Sequence, residues 1–508
     1  MGMLSPSHSQ AVAPTGLKVG IYSGTGAESS TILAIFRAVA SFGDLPLAIT
    51  KSDIDNGRLT RTNFDVFIIP PGEGGTKCCA GHYAATDSLD QLGTKSAIRT
   101  YVTNGGGLIA EEAGAYLVSQ NGGTLDIYSG NYTNVTTTAG KTSFKIVDPL
   151  FGSGTQEVYQ SAGGGYFPTP PVGVKVIATD SSNRATIVRQ AYGKGAIVLT
   201  SYILELRGDS ELDWTIWDNW AMGGQVNSAG VWSILGRMIG WAYSADASAP
   251  TITSINPNGA RVAVIAEHTN DGGAWPGLLP AVARGIEYSG NIPLAIRFQN
   301  IKNSKLTLSN FKVVVFPGGY SYGYKTGLAG SEQKIRDFII AGGNYYGICA
   351  GSFYAPANIQ WEGKQYPYPL AIYQGQDIGP INDIAAWPQY VLAPITFNDP
   401  VVGNFGTINT MYYGGGYHTI PTDSQQGSHV YTAGVFATSS AVGKAALVRY
   451  KYGLGKVALT TTHLEARAGT NEDWLYWDNF LDSSKAPVNN PDNPWNVMKA
   501  IFNNWLLG

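Results

Sequence analysis

Short apolar runs alternate along the chain with longer segments of helical period. Val262 to Ala266 is a compact β-rich run, and Val313 to Phe316 is so uniformly apolar that it predicts a strand buried on both faces. Between them, Leu278 to Tyr288 predicts a helix. Ser331 to Ile340 predicts another, with Ser331 as N-cap and Ile335, Phe338 and Ile339 on one face. Tyr345 to Ile348 predicts a further short strand, and Trp232 to Trp241 and Trp495 to Trp505 predict late helices. Strands alternating with helices imply an α/β protein whose sheet is largely parallel and covered on both faces.

The pattern occurs twice. Lys18 to Tyr22 resembles Arg261 to Ile265, and Asn63 to Pro70 resembles Asn310 to Pro317. Gly105 to Gly114 resembles Gly342 to Gly351, and Gly163-Gly164-Gly165-Tyr166 resembles Gly414-Gly415-Gly416-Tyr417. Tyr192 to Gly195 resembles Tyr452 to Gly455, and Asp213-Trp214 with Trp217-Asp218-Asn219 resembles Asp473-Trp474 with Trp477-Asp478-Asn479. Six matches in one order, displaced by roughly 240 to 260 residues, predict two whole domains rather than a solenoid. The expected organisation is a flexible leader at 1–16, a first copy at 17–243, a linker at 244–259 and a second copy at 260–508.

Composition narrows the function. Charged residues make up 14% of the 508, with 33 basic against 36 acidic, so clustered cations for a polyanion are absent and nucleic acid is not an expected partner. No apolar run approaches the ~18 residues of a membrane span. Glycine (64), Tyr (29) and Trp (12) replace the missing charge. Such a surface leans extracytoplasmic, although no signal peptide is visible, and the compartment stays open. Asn131 and Asn134 begin glycosylation sequons, which matter only in a secreted eukaryotic protein. Three cysteines, Cys78, Cys79 and Cys349, are too few for a disulfide framework.

Candidate chemistry lies in the second copy. Gly347-Ile348-Cys349-Ala350-Gly351 follows a predicted strand and precedes a predicted helix, the arrangement of a nucleophile elbow with Cys for Ser. The glycines permit the sharp turn, and the helix N-terminus favours a thiolate. The competing reading is a small buried Cys in a tight turn. Downstream, His463-Leu464-Glu465 places an imidazole and a carboxylate two residues apart, on one face if the segment is extended. A thiol needs a base, and the base needs an orienting carboxylate.

An apolar strand ending in Pro317-Gly318-Gly319, the elbow and a later His-x-Glu together resemble class I glutamine amidotransferase-like domains. Closer detail is similar to the amidotransferase-like N-terminal domain of biotin-protein ligases: Phe316 to Gly319, Tyr346 to Tyr354, Tyr373-Gln374-Gly375 with Gly379-Pro380, and Tyr412 to Gly416. The resemblance covers most of the second copy and, more weakly, the first. It implies two tandem flavodoxin-like, three-layer domains with mostly parallel sheets. It implies Cys349 as nucleophile, His463 as base and Glu465 as orienter, with N–H groups of Gly319 and Ala350 as an oxyanion hole. Gly318, Tyr320, Tyr354 and Tyr417 are expected near substrate. Two departures stand out: Leu464 replaces the usual Pro between His and Glu, and no Gly-Arg-Gly biotin-ligase signature is present, which argues against ligase activity.

Aligning the copies puts Glu112 opposite Cys349 and Ile203 opposite His463, while Glu205 matches Glu465. The first copy is therefore a degenerate domain that docks on the second, shapes its cleft or binds a protein partner. Lower-ranked readings are Glu267 approaching the elbow or sitting exposed in a loop, and Cys78, Cys79 and His82 as a metal site or an irregular loop. The Asp-Trp-x-x-Trp-Asp-Asn segments read as packing and turning elements or as a carbohydrate platform. The expected function is a cysteine-dependent amidase, glutaminase-type hydrolase or amidotransferase-like enzyme. It would cleave an amide C–N bond of a small molecule or peptide through a thioester, with no metal or cofactor. The alternative is a non-catalytic binding or scaffold protein built from two such domains.

Overall fold

The computed structural model describes residues 16–72, 88–121, 125–135, 138–208, 211–223, 228–253, 258–422, 428–481 and 490–508. Cys78, Cys79, His82 and nearly all of the leader lie outside these residues.

Each copy builds one large sheet on the same plan. In the first, Leu45–Ile49, Lys18–Tyr22, Val66–Ile69, Gly107–Glu111 and Gly195–Thr200 lie side by side and parallel. In the second, the corresponding order is Ile292–Ile296, Arg261–Ile265, Val313–Phe316, Asn344–Ile348 and Gly455–Thr460, again parallel. Both central strands Val66–Ile69 and Val313–Phe316 are buried at every position, which is why their apolar runs do not alternate. Helices Ser29–Ser41 and Leu279–Tyr288 follow the first strand of each copy, and the sheet with its helices makes a flavodoxin-like α/β domain. Beyond the fifth strand both sheets continue antiparallel, through Ala185–Tyr192 in one and Ala445–Tyr452 in the other.

Element bounds sit within a few residues of expectation. The helix after Ser331 spans Glu332–Ile340, but the Ser331 side chain makes no capping bond. The last helix begins at Pro494 and widens to a π-helix over Ile501–Leu506.

The two copies dock through their repeated Asp-Trp segments. Leu45–Ile49 and Ile292–Ile296 are edge strands, each with backbone groups that need partners. Ala48 N–H donates to Trp474 O (2.7 Å) and Ala48 O accepts from Tyr476 N–H (3.1 Å). Reciprocally, Ala295 N–H donates to Trp214 O (2.8 Å) and Ala295 O accepts from Ile216 N–H (3.3 Å). Trp214 and Trp474 stack on each other with centroids 5.6 Å apart, and Arg37 and Arg284 lie over their rings at 5.1 and 4.7 Å. Both tryptophans have φ of +62°, a left-handed conformation that each buried Asp before them supports by turning the chain. Asp213 accepts from Arg207 N–H and Thr215 N–H, and Asp473 accepts from Arg467 N–H and Leu475 N–H. The segments are therefore turning and packing elements whose product is a pseudo-twofold interface between the copies.

Candidate active site

The strand Asn344–Ile348 ends at Cys349, whose φ of +48° and ψ of −107° make the expected sharp turn into the short helix Ala350–Phe353. Such a conformation costs a non-glycine residue on the order of 1–3 kcal/mol and must be held by its surroundings. The strained residue is the cysteine itself. The flanking glycines serve a different purpose, which is space: a Cβ on Gly351 would lie 1.9 Å from Phe316 O, and one on Gly347 would lie 2.6 Å from Gly351 O. Cys349 N–H donates to Thr460 O at 2.7 Å, tying the elbow to the neighbouring strand.

His463 lies three residues past the end of the strand Gly455–Thr460, where its N–H donates to Met411 O at 2.8 Å. The chain bends past the strand end, with Leu464 wholly buried and His463 and Glu465 brought side by side. Nδ1 of His463 lies 2.8 Å from Oε1 of Glu465, and both side chains are buried. A carboxylate can only accept, so Nδ1 carries the proton and Nε2 is directed away from it. Nε2 is buried with no hydrogen-bond partner. Burial works against a charged imidazole, but the Glu465 carboxylate and the adjacent Cys349 sulfur outweigh it and raise the His463 pKa to about 10. Gly318 passes directly under the ring, where a Cβ would lie 2.5 Å from Cε1. The Cys349 sulfur lies 3.6 Å from Tyr413 O.

Cys349 and His463 sit in the wall of a cavity of ≈ 910 Å³ that Gly319 and Tyr320 also line. Gly319 has φ of +145° and pairs with Ala274, and Ala350 opens the short helix. Two expected substrate contacts lie elsewhere. Tyr354 is wholly buried against Phe316 and Tyr324, and Tyr417 carries Lys444 Nζ 4.2 Å over its ring, away from the cavity wall. Glu267 neither faces the elbow nor lies free in a loop: it accepts from Phe298 N–H beside Arg297. Among the described residues, no three His, Cys, Asp or Glu side chains gather as a metal site, and no helix is long and apolar enough to cross a membrane.

A second polar network lies behind the elbow. His418 Nδ1 is 2.5 Å from Asp377 Oδ1, and its Nε2 is 3.1 Å from Leu459 O. The carbonyl can only accept, so Nε2 carries a proton. Ser352 Oγ lies 3.0 Å from Asp377 Oδ2 and 2.8 Å from Cys349 O, so the pair reaches the elbow cysteine's own carbonyl through one hydroxyl. His418 follows the Gly-Gly-Gly-Tyr segment directly. Comparison with Phe167, its counterpart in the first copy, is the signal that marks it.

Residues 301–493 match the family described as "Biotin-protein ligase, N terminal". No curated protein matches the chain. Among solved structures, the chain is similar to a glutamine amidotransferase at 15% identity, over 40% of this chain and 90% of that one, with a TM-score of 0.29. It is similar to a glutamine amidotransferase of Thermotoga maritima at 13% identity, over 44% and 99% of the respective chains, with a TM-score of 0.30. Over residues 301–493 the second copy is similar to the N-terminal region of biotin-protein ligases.

Proposed function

We propose that the second copy is a cysteine-dependent enzyme that cleaves or transfers at an amide C–N bond. The observation that carries this reading is the buried His463–Glu465 pair, whose unpartnered Nε2 adjoins a cysteine on a strained elbow at a cavity wall. Cys349 gives its proton to His463 Nε2 and attacks the carbonyl as a thiolate, forming a tetrahedral intermediate whose oxyanion the N–H groups of Gly319 and Ala350 stabilise. Imidazolium His463 then gives its Nε2 proton to the departing amine, leaving a thioester on Cys349. Neutral His463 next takes a proton from the incoming water or amine, which releases the acid or the new amide and regenerates the thiol. Glu465 fixes the tautomer and stabilises the imidazolium, and Leu464 fills core where the related domains carry Pro.

The pH profile of Cys349 alkylation, followed by peptide mass mapping, tests the pair. Reaction at pH 6, well below the ordinary thiol pKa near 8.5, is expected, and His463→Ala removes it. An ordinary profile unchanged by His463→Ala sinks the proposal. The non-catalytic reading draws on the first copy, which keeps the fold without thiol or imidazole; an amide turnover that Cys349→Ala abolishes in a folded chain decides against it.

A further inference from the structure

The cavity at Cys349 is not made by the second copy alone. Gly24 and Thr25 follow the strand Lys18–Tyr22, and Thr50, Lys51 and Ser52 follow Leu45–Ile49; all line the cavity from the first copy. The C-terminal strand ends of the first sheet thus face the elbow at the C-terminal edge of the second, the edge where open α/β sheets bind ligands.

The two walls differ in chemistry. On the second copy's side, rings run continuously outward from His463. Tyr413 lies 6.4 Å from the imidazole, Trp387 stacks on Tyr413 at 5.2 Å, and Trp275 meets Tyr413 edge-on at 5.9 Å. Tyr320, half exposed, extends the series beside Trp387 at 5.8 Å. The first copy's side offers short hydroxyls and backbone. Its one cation in the lining, Lys51, is ion-paired with Asp55 on the next helical turn. Among the described residues, the wall therefore holds no uncommitted Lys or Arg for a substrate carboxylate.

At the counterpart place in the first copy, an arginine of the second copy is buried. Arg297 follows Ile292–Ile296 as Thr50 follows Leu45–Ile49, and its guanidinium lies 4.9 Å from the ring centre of Trp217. Trp217 is the counterpart of Trp477, which lines the open cavity. The first copy thus receives an arginine from the other copy where the second copy's cavity receives a threonine.

We propose that the first copy is a working wall of the second copy's substrate pocket, and that the pocket takes an amide bearing an uncharged ring. This rests on Cys349 being the reactive nucleophile. One ring face lies against Trp275, Trp387 or Tyr413, and its polar edge meets Thr25, Thr50 and Ser52. An aryl group and a sugar both fit that chemistry.

Chloroacetamides of differing substituent test it on the full chain, with alkylation of Cys349 read by mass mapping. The set is chloroacetamide, its N-naphthyl and glucosamine derivatives, and N-chloroacetylaspartate. Plain chloroacetamide is expected to react in proportion to its concentration. A ring-bearing reagent is expected to saturate and to react about tenfold faster at low concentration; whichever ring is faster separates aryl from sugar. Thr50→Arg, which copies Arg297, is expected to remove that advantage, as is Thr25→Trp, which fills the pocket differently. If chloroacetamide labels Cys349 but no ring-bearing reagent outpaces it, or the dianion does, the substrate class is overturned while the thiol chemistry stands. If both variants keep the advantage, the first copy is not a wall. If chloroacetamide fails to label Cys349, the thiol chemistry and this inference fall together.

Discussion

At the elbow the two copies share one backbone and almost none of the side chains that matter. Glu112 has φ of +44° and ψ of −104°, against +48° and −107° at Cys349. Glu205 occupies the place of Glu465, and each has its backbone carbonyl held by a tryptophan indole, Trp232 or Trp495. Around this common frame the chemistry changes as a set. Where the second copy has Cys349 and His463, the first has Glu112 and Ile203. Where the second has Ser352, Asp377 and His418, the first has Ala115, Tyr132 and Phe167, the last two in edge-on ring contact at 5.2 Å. The strained elbow therefore does not require the triad, and the same docking surface is kept on both sides. What separates the copies is one coupled polar system and the residue the other copy presents above it, Arg297 in one case and Thr50 in the other.

The largest effect comes from making the second copy like the first. On the proposed mechanism, His463→Ile is expected to lower amide turnover by about 10³-fold, because the thiol would lose the group that moves its protons. It also strands the Glu465 carboxylate in the core. His463→Gln, which can still donate to Glu465, is expected to lose turnover equally while keeping more stability. If His463→Gln retains most of the turnover, the imidazole is not the proton carrier and the comparison has been drawn through the wrong residue.

Next is the network behind the elbow. His418→Phe copies Phe167 but leaves Asp377 buried with only Ser352 as a side-chain partner. Removing one member of a buried pair costs about 3 kcal/mol, and the double change His418→Phe with Asp377→Asn is expected to recover part of it. Ser352→Ala breaks the link to Cys349 O and removes the hydroxyl from Asp377 Oδ2, but leaves the His418–Asp377 hydrogen bond in place. It is expected to lower kcat about tenfold at unchanged KM, the signature of a residue that positions the nucleophile rather than binds substrate. A loss of stability with no change in kcat reduces the network to core packing.

The interface gives an effect of similar size on stability. Trp214→Ala and Trp474→Ala each remove a buried indole from the stack between the copies, and each is expected to cost about 3 kcal/mol in thermal or denaturant unfolding. Because the rings touch, the double variant should lose less than the sum. Strict additivity would mean that each ring packs only within its own copy. The same variants should weaken labelling by ring-bearing reagents if the first copy's wall is held in place through this contact.

Much of this arrangement was legible in the amino-acid sequence, for definite physical reasons. Parallel strands buried on both faces leave unbroken apolar runs such as Val313 to Phe316. An elbow between a strand and a helix must be flanked by residues without side chains, so Gly347 and Gly351 are visible as a motif. His463 and Glu465 are adjacent enough for their pairing to be local. Asp377 and His418 are not: they meet across neighbouring strands Asp377–Gly379 and Tyr417–His418, and pairing between distant segments leaves no spacing to read. Tyr354 illustrates the opposite failure. It lies one turn beyond the elbow, but the helix Ala350–Phe353 is short and turns it inward onto Phe316. The repeated Asp-Trp segments were visible as a repeat, but their partner is the other copy, and an intramolecular interface has no signature in either copy alone.

The smallest prediction sharpens the comparison at the elbow position itself. Glu112 accepts from both N–H (2.9 Å) and Oγ–H of Ser161, the residue that occupies the place of Tyr413. Burial, foremost, drives its pKa from 4.5 to about 8; the Ser161 bonds oppose this, and Glu205 and Glu28 add to it. A carboxyl whose folded pKa lies above its unfolded value contributes stability that is fully present below about pH 4.5. That stability is lost as the pH rises through about 8. Glutamine has nearly the same shape, accepts from Ser161 N–H and never ionises. Glu112→Gln should therefore match the parent chain in unfolding free energy near pH 4 and exceed it near pH 9. Equal slopes for the two proteins between pH 4.5 and 8 would show that Glu112 is ionised throughout, with a counter-charge near it. The elbow of the first copy would then be an anionic site, not a neutral remnant of the thiol position.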